Sequence, residues 1–148
     1  MNDQSEKEIL KRTYSNLLLP AVFLIILVYL GQFLNILNKG QIQSVRIISI
    51  ILFTLGALFS FALPIFLRAS FVNKVKDLKQ VTIDQFITFE KKLLSVVMLS
   101  PYVVVLAVIF NIPNFYLSGT VLFALYAVYY YYPSEKRIKF ERKIFKVK

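Results

Sequence analysis

The chain carries few residues that could do chemistry. Its 148 residues include no histidine and no cysteine, and only eight acids. Without imidazole or thiolate, zinc, haem and iron–sulfur centres with their usual ligands are excluded, and no disulfide framework can form. No cofactor and no metal site is expected. The acids are Asp3, Glu6, Glu8, Asp77, Asp84, Glu90, Glu135 and Glu141, all interleaved with Lys or Arg. Asp84 with Glu90 is the one carboxylate pair suited by position to general acid–base work. Nothing near it supplies a nucleophile, so the acids are read as moderating a basic surface. No catalytic residue is assigned, and no Walker-type loop, zinc-protease motif or Gly-x-Ser elbow is present.

Three other groups of residues stand out. Asn35 and Asn38, at the end of a long apolar run, fall near Arg46 and the Asn111–Asn114 turn if the chain folds back on itself. Asn35, Asn38, Arg46, Asn111 and Asn114 could line a shallow polar cup, with Arg46 as its charge, suited to an anion or a headgroup. Ordinary helix-end polarity, with Arg46 snorkelling, accounts for the same residues. Pro101 interrupts an apolar run and deprives the Val97 carbonyl of its helical donor, which makes it a candidate hinge. The last stretch carries Lys136, Arg137, Lys139, Arg142 and Lys143, suited to anionic lipid headgroups.

The elements that must position these groups are apolar helices. Hydrophobic residues make up 57% of the chain and the mean hydropathy is +0.64. The apolar residues fall in long uncharged runs at about 17–37, 47–67, 93–112 and 115–132. The first two runs each have 21 residues, which at 1.5 Å per residue gives roughly 32 Å, enough to cross a bilayer. The first run reads as a retained signal-anchor, with Pro20 in its first turns. Asn38-Lys39-Gly40 and Asn111–Asn114 are short connections, so the spans pair as two antiparallel hairpins. Between the hairpins, residues 68–92 show an amphipathic pattern in Phe71, Val75 and Leu78, and Thr82 with Gln85 has the form of a capping box. Residues 133–148 form a basic tail in which Phe140, Ile144 and Val147 recur on one helical face, with Ser134 as a candidate cap. A run of tyrosines, Tyr129 to Tyr132, precedes the tail and suits a membrane–water boundary.

Charge orients the plan. Residues 1–13 form a short polar head, a helical turn or two at the surface, and of the 18 Lys and Arg residues this head holds three, the 68–92 segment six and the tail seven; Lys39 and Arg46 alone fall on the other side. Sixteen against two is a strong positive-inside pattern. The net charge of +10 is thereby explained by topology, and no nucleic acid is expected as partner. The expected fold is an all-α polytopic membrane protein of one transmembrane domain. It has four transmembrane helices in two hairpins and both termini in the cytoplasm. The composition suits a bacterial inner-membrane protein. The expected function is non-catalytic: an accessory or scaffold subunit that associates with itself or with another membrane protein. The alternative is a homo-oligomeric pore or carrier for a small solute or lipid, with Pro101 as hinge. A lipid-modifying enzyme stands last, because it would have to work with Ser, Tyr, Asp and Glu.

Overall fold

The computed structural model describes residues 3–34, 45–76 and 80–147. The described chain is helical throughout, apart from its turns and one isolated parallel bridge between Val81 and Val147. Among the described residues three helical stretches are long and apolar enough to cross a membrane: Ser5–Phe33, Arg46–Val75 and Ile83–Ile109.

The first helix, α1, runs Asp3–Phe33 without a break. The polar head, expected as a separate surface turn, is instead the start of this helix. Its Leu10 and Tyr14 explain the continuity, because both are buried in the core at the basic end. The second stretch comprises α2 (Val45–Ala57), a π-helical turn over Leu58–Ala62, and α3 (Leu63–Val75). Pro64 lies just past the π-turn and cannot donate to the Ser60 carbonyl, so the widened turn falls where the regular ladder is already broken. The amphipathic residues Phe71 and Val75 extend this helix, while Leu78 lies outside the described residues.

The third stretch comprises α4 (Ile83–Val97) and α5 (Leu99–Ile109), separated at Met98, where ψ is −1°. The break comes three residues before Pro101, whose ring crowds the preceding turn. The capping box forms as its sequence implies: Thr82 Oγ1 accepts from the Gln85 N–H, and Gln85 Oε1 accepts from the Thr82 N–H, both at 3.4 Å. Helix α5 ends in a Schellman turn: the Asn111 N–H donates to Val108 O (3.1 Å) and the Ile112 N–H to Ala107 O (3.2 Å). Asn111 has φ 48°, the left-handed conformation that asparagine tolerates better than most residues.

Helix α6 (Asn114–Tyr130) has 17 residues, about 25 Å of length. It returns from this turn to the basic end, and α7 (Glu135–Ile144) follows, capped by Ser134, whose Oγ accepts from the Arg137 N–H at 3.2 Å. Helix α1 packs on α4 and α5, and α2 packs on α5 and α6. The small residues decide the closest approaches. Gly56 faces Thr120, where an added Cβ would come within 3.3 Å of Cγ2. Gly119 faces Phe53, where an added Cβ would lie 2.4 Å from the ring. The small-residue faces of the second and fourth apolar runs thus meet within one chain.

Candidate functional site: an ion-locked basic end

The head, the middle segment and the tail come together at one end of the bundle, and the acids found there are not surface charges. Glu90 on α4 and Glu141 on α7 are buried, with side chains 2% and 5% exposed. Each lies in an apolar stripe at helical spacing. Glu90 stands among Phe86, Leu93, Leu94 and Val97, and Glu141 between Ile138 and Phe145, all of them buried. Arg137 joins the two: its Nη2 donates to Glu90 Oε2 at 2.7 Å and its Nε to Glu141 Oε1 at 3.0 Å. Its Nη1 donates to the Tyr131 carbonyl, which ends α6. Arg68 on α3 donates to Glu141 Oε1 from the other side. The Tyr131 ring packs against both guanidinium groups, with centroids 5.6 Å from Arg68 and 5.3 Å from Arg137.

One residue, Arg137, therefore ties α4, α6 and α7 together, and Arg68 adds α3. Helix α1 joins through Glu6, fully buried, 3.7 Å from Arg142, and through Lys7, 3.4 Å from Glu135. Below the charges Phe145 inserts among Phe71, Phe86 and Phe89, at centroid distances of 5.1, 6.3 and 5.6 Å. The Val81 N–H donates to Lys146 O at 3.3 Å, so the end of the tail is pinned to the start of α4. The expectation that the acids merely temper a surface is overturned for Glu6, Glu90 and Glu141.

Electrostatics follow from this crowding. Burial works against the charge on Glu141. The neighbouring Glu90 carboxyl and the Arg137 and Arg68 guanidinium groups outweigh it and hold Glu141 below the ordinary carboxylate range. Glu135 is exposed and is also held low, by hydrogen bonds from Lys139 and then Lys7.

Of the tail cations read as lipid contacts, Arg137 is turned inward, with its side chain 12% exposed, and Arg142 pairs with Glu6. Lys139 donates to Glu135 at 2.7 Å, while Lys136 and Lys143 are exposed. The tail has a second, buried face besides the apolar one expected. Helix α7 buries Ile138 and Glu141, and Phe145 follows on the same side, while Phe140 and Ile144 are exposed. Those two line a groove of about 840 Å³ between α7 and α3, floored by tyrosines of the α6 end.

At the opposite end the polar residues stay apart. Asn35 and Asn38 lie outside the described residues. Arg46, Asn111 and Asn114 are each exposed, and among the described residues no hydrogen bond or ion pair links them. Asn111 serves as the left-handed cap of α5 and Asn114 opens α6. Gln32 is committed to Val108 O at 2.9 Å.

Pro101 is buried in the first turn of α5, next to a polar contact inside the bundle. Ser60, in the π-turn, and Ser100 share a 2.8 Å hydrogen bond between hydroxyls, and Ser60 Oγ donates to Phe123 O at 3.0 Å. The π-turn and the α4–α5 break thus face each other across one serine pair.

Among the described residues no group of His, Cys, Asp and Glu is placed to hold a metal ion. No protein-family model, curated protein or solved structure matches this chain, so its own geometry carries the functional reading.

Proposed function

We propose that the chain is a four-span protein of a bacterial inner membrane, with both termini in the cytoplasm. It acts as a non-catalytic accessory or scaffold subunit that associates with a second copy or with another membrane protein. The observation that carries this reading is the ion lock. Arg68, Arg137, Glu90 and Glu141, with Glu6 and Arg142, use the ionisable groups of three chain segments to build one cap. The fourth span rests on α6. At about 25 Å it falls short of the long stretches, yet it runs from the Asn111 turn back to the cap, where Tyr14 Oη donates to Val128 O at 2.9 Å. A head and tail that pair with each other suit an even number of crossings. The sixteen-to-two charge split supports the cytoplasmic side for the cap.

Purification in a gentle detergent with mass determination by light scattering tests the association. The reading predicts a multiple of 17.2 kDa, or a stoichiometric second membrane protein. A lone monomer in several mild detergents contradicts it.

A second reading, a homo-oligomeric carrier or pore, is favoured by the facing irregularities at Ser60 and Pro101. Widened turns are frequent at working sites in helices. Solute flux in liposomes that is unchanged by Ser60→Ala, Pro101→Ala and Arg46→Ala removes this reading.

A further inference from the structure

The groove between α3 and α7 has a composition that the ion lock does not use up. Its walls are apolar at Val72, Phe140 and Ile144, and all three are exposed. Its floor is tyrosine, with Tyr130 half-exposed. Its charged lining comprises Arg68, Lys136 and Arg137 against the single acid Glu141, which both arginines already hold. With Arg137 also held by Glu90, the lining keeps its positive excess at exposed Lys136. The Arg68 Nε is buried and meets no acceptor among the described residues. Phe140 and Ile144 leave apolar surface exposed, which water disfavours.

We infer that this groove seats one anionic phospholipid, its phosphate between Arg68 and Lys136 and an acyl chain along Val72, Phe140 and Ile144. The inference rests on the reading that the basic end lies at the membrane surface. It also goes beyond that reading, since diffuse attraction of a basic tail requires no defined seat. The occupant follows from the two halves of the lining. A cationic rim selects a phosphate-bearing head of net negative charge, and a continuous apolar wall selects a chain attached to it. Tyrosine rings at the junction suit the boundary between head and chain.

The chain contains no tryptophan, so Phe140→Trp in the full-length protein gives a single reporter on the groove wall. The variant is reconstituted in phosphatidylcholine vesicles. A minor fraction of the lipid is then replaced by phosphatidylglycerol or by phosphatidylcholine, in each case with acyl chains brominated to quench tryptophan. The expected result is quenching by brominated phosphatidylglycerol at several-fold lower mole fraction than by brominated phosphatidylcholine. Adding Lys136→Gln should cut that preference roughly fivefold, the effect of one basic residue at the surface. Adding Lys143→Gln, outside the groove, should leave it intact. Equal quenching by both lipids overturns the seat while leaving the basic end at the membrane. A preference reduced as much by Lys143→Gln as by Lys136→Gln also overturns it, in favour of diffuse attraction. No quenching by either lipid overturns the seat and, with it, the placement of this end at the membrane.

Discussion

Arg137→Met removes the residue that joins α7 to the bundle. Its Nη2–Glu90 and Nε–Glu141 contacts, 2.7 and 3.0 Å, are both lost, together with the hydrogen bond that closes the end of α6. The two acids do not suffer equally. Glu141 keeps Arg68, but Glu90, with a side chain 2% exposed, loses its ion pair and has no water to turn to. Leaving a buried polar group without its partner costs about 1–3 kcal/mol. For a chain of 148 residues, at roughly 2–4 °C per kcal/mol, that is a fall in unfolding midpoint of about 2–12 °C. The assay is thermal unfolding in a mild detergent, with amide exchange over 138–145 to detect undocking of α7. The double variant Glu90→Leu with Arg137→Met should recover most of the loss, since replacing both members by apolar groups leaves no buried polar group stranded. Arg137→Lys should fall between, because one ammonium cannot span two carboxylates as the guanidinium fork does. A midpoint within about 1 °C of the parent for Arg137→Met, on the same scale, refutes the reasoning. So does a double variant no better than the single.

Three further predictions address separate parts of the fold. Glu141 is held below its ordinary range in the folded state, so its stabilising effect is complete above the unfolded carboxylate value of about 4.3 and is lost as pH falls through the lower folded value; unfolding midpoints measured from neutral to acid pH should drop, and the drop should shrink in Glu141→Gln. Gly119→Ala places a methyl carbon 2.4 Å from the Phe53 ring and should cost about 1–3 kcal/mol by denaturant unfolding, with Phe53→Leu in the same chain restoring part of it. Ser60→Ala removes the links to Ser100 and Phe123 O and should cost about 0.6–2 kcal/mol by the same measurement, whereas Thr54→Ala, at an exposed hydroxyl bonded to its own helix, should be close to neutral.

Much of the fold was legible in the sequence, because membrane helices announce themselves by uncharged length. The Thr82–Gln85 box, the Ser134 cap and the tight turn before Pro113 were readable for a similar reason, since each is a local agreement between residue type and backbone. The site was less legible. Treating acids as surface charges hid the lock, although a signal for it was present: Glu90 and Glu141 interrupt apolar stripes at positions where a surface helix would have no acid. The face by which the tail docks is illegible in the sequence for a related reason. Helix α7 carries two apolar faces, and periodicity does not say which one is buried. That choice is made by Arg137, which must turn toward Glu90 and carries Ile138 and Phe145 inward with it. The change of polarity at Thr13 suggests a head separate from the first span, yet a helix needs no uniform polarity to continue when Leu10 and Tyr14 have a core to enter.

The central claim is that the ion-locked end faces the cytoplasm and that α6 completes a fourth crossing. The chain has no cysteine, so single cysteines can be placed without altering a background. Glu8→Cys and Lys143→Cys report the head and tail, and Asn114→Cys reports the opposite end. Labelling intact cells with a membrane-impermeant maleimide, before and after permeabilisation, should modify Asn114→Cys in both states and the other two only after permeabilisation. Labelling of Lys143→Cys in intact cells while Glu8→Cys stays protected would contradict the fourth crossing. Labelling of both in intact cells would contradict the orientation.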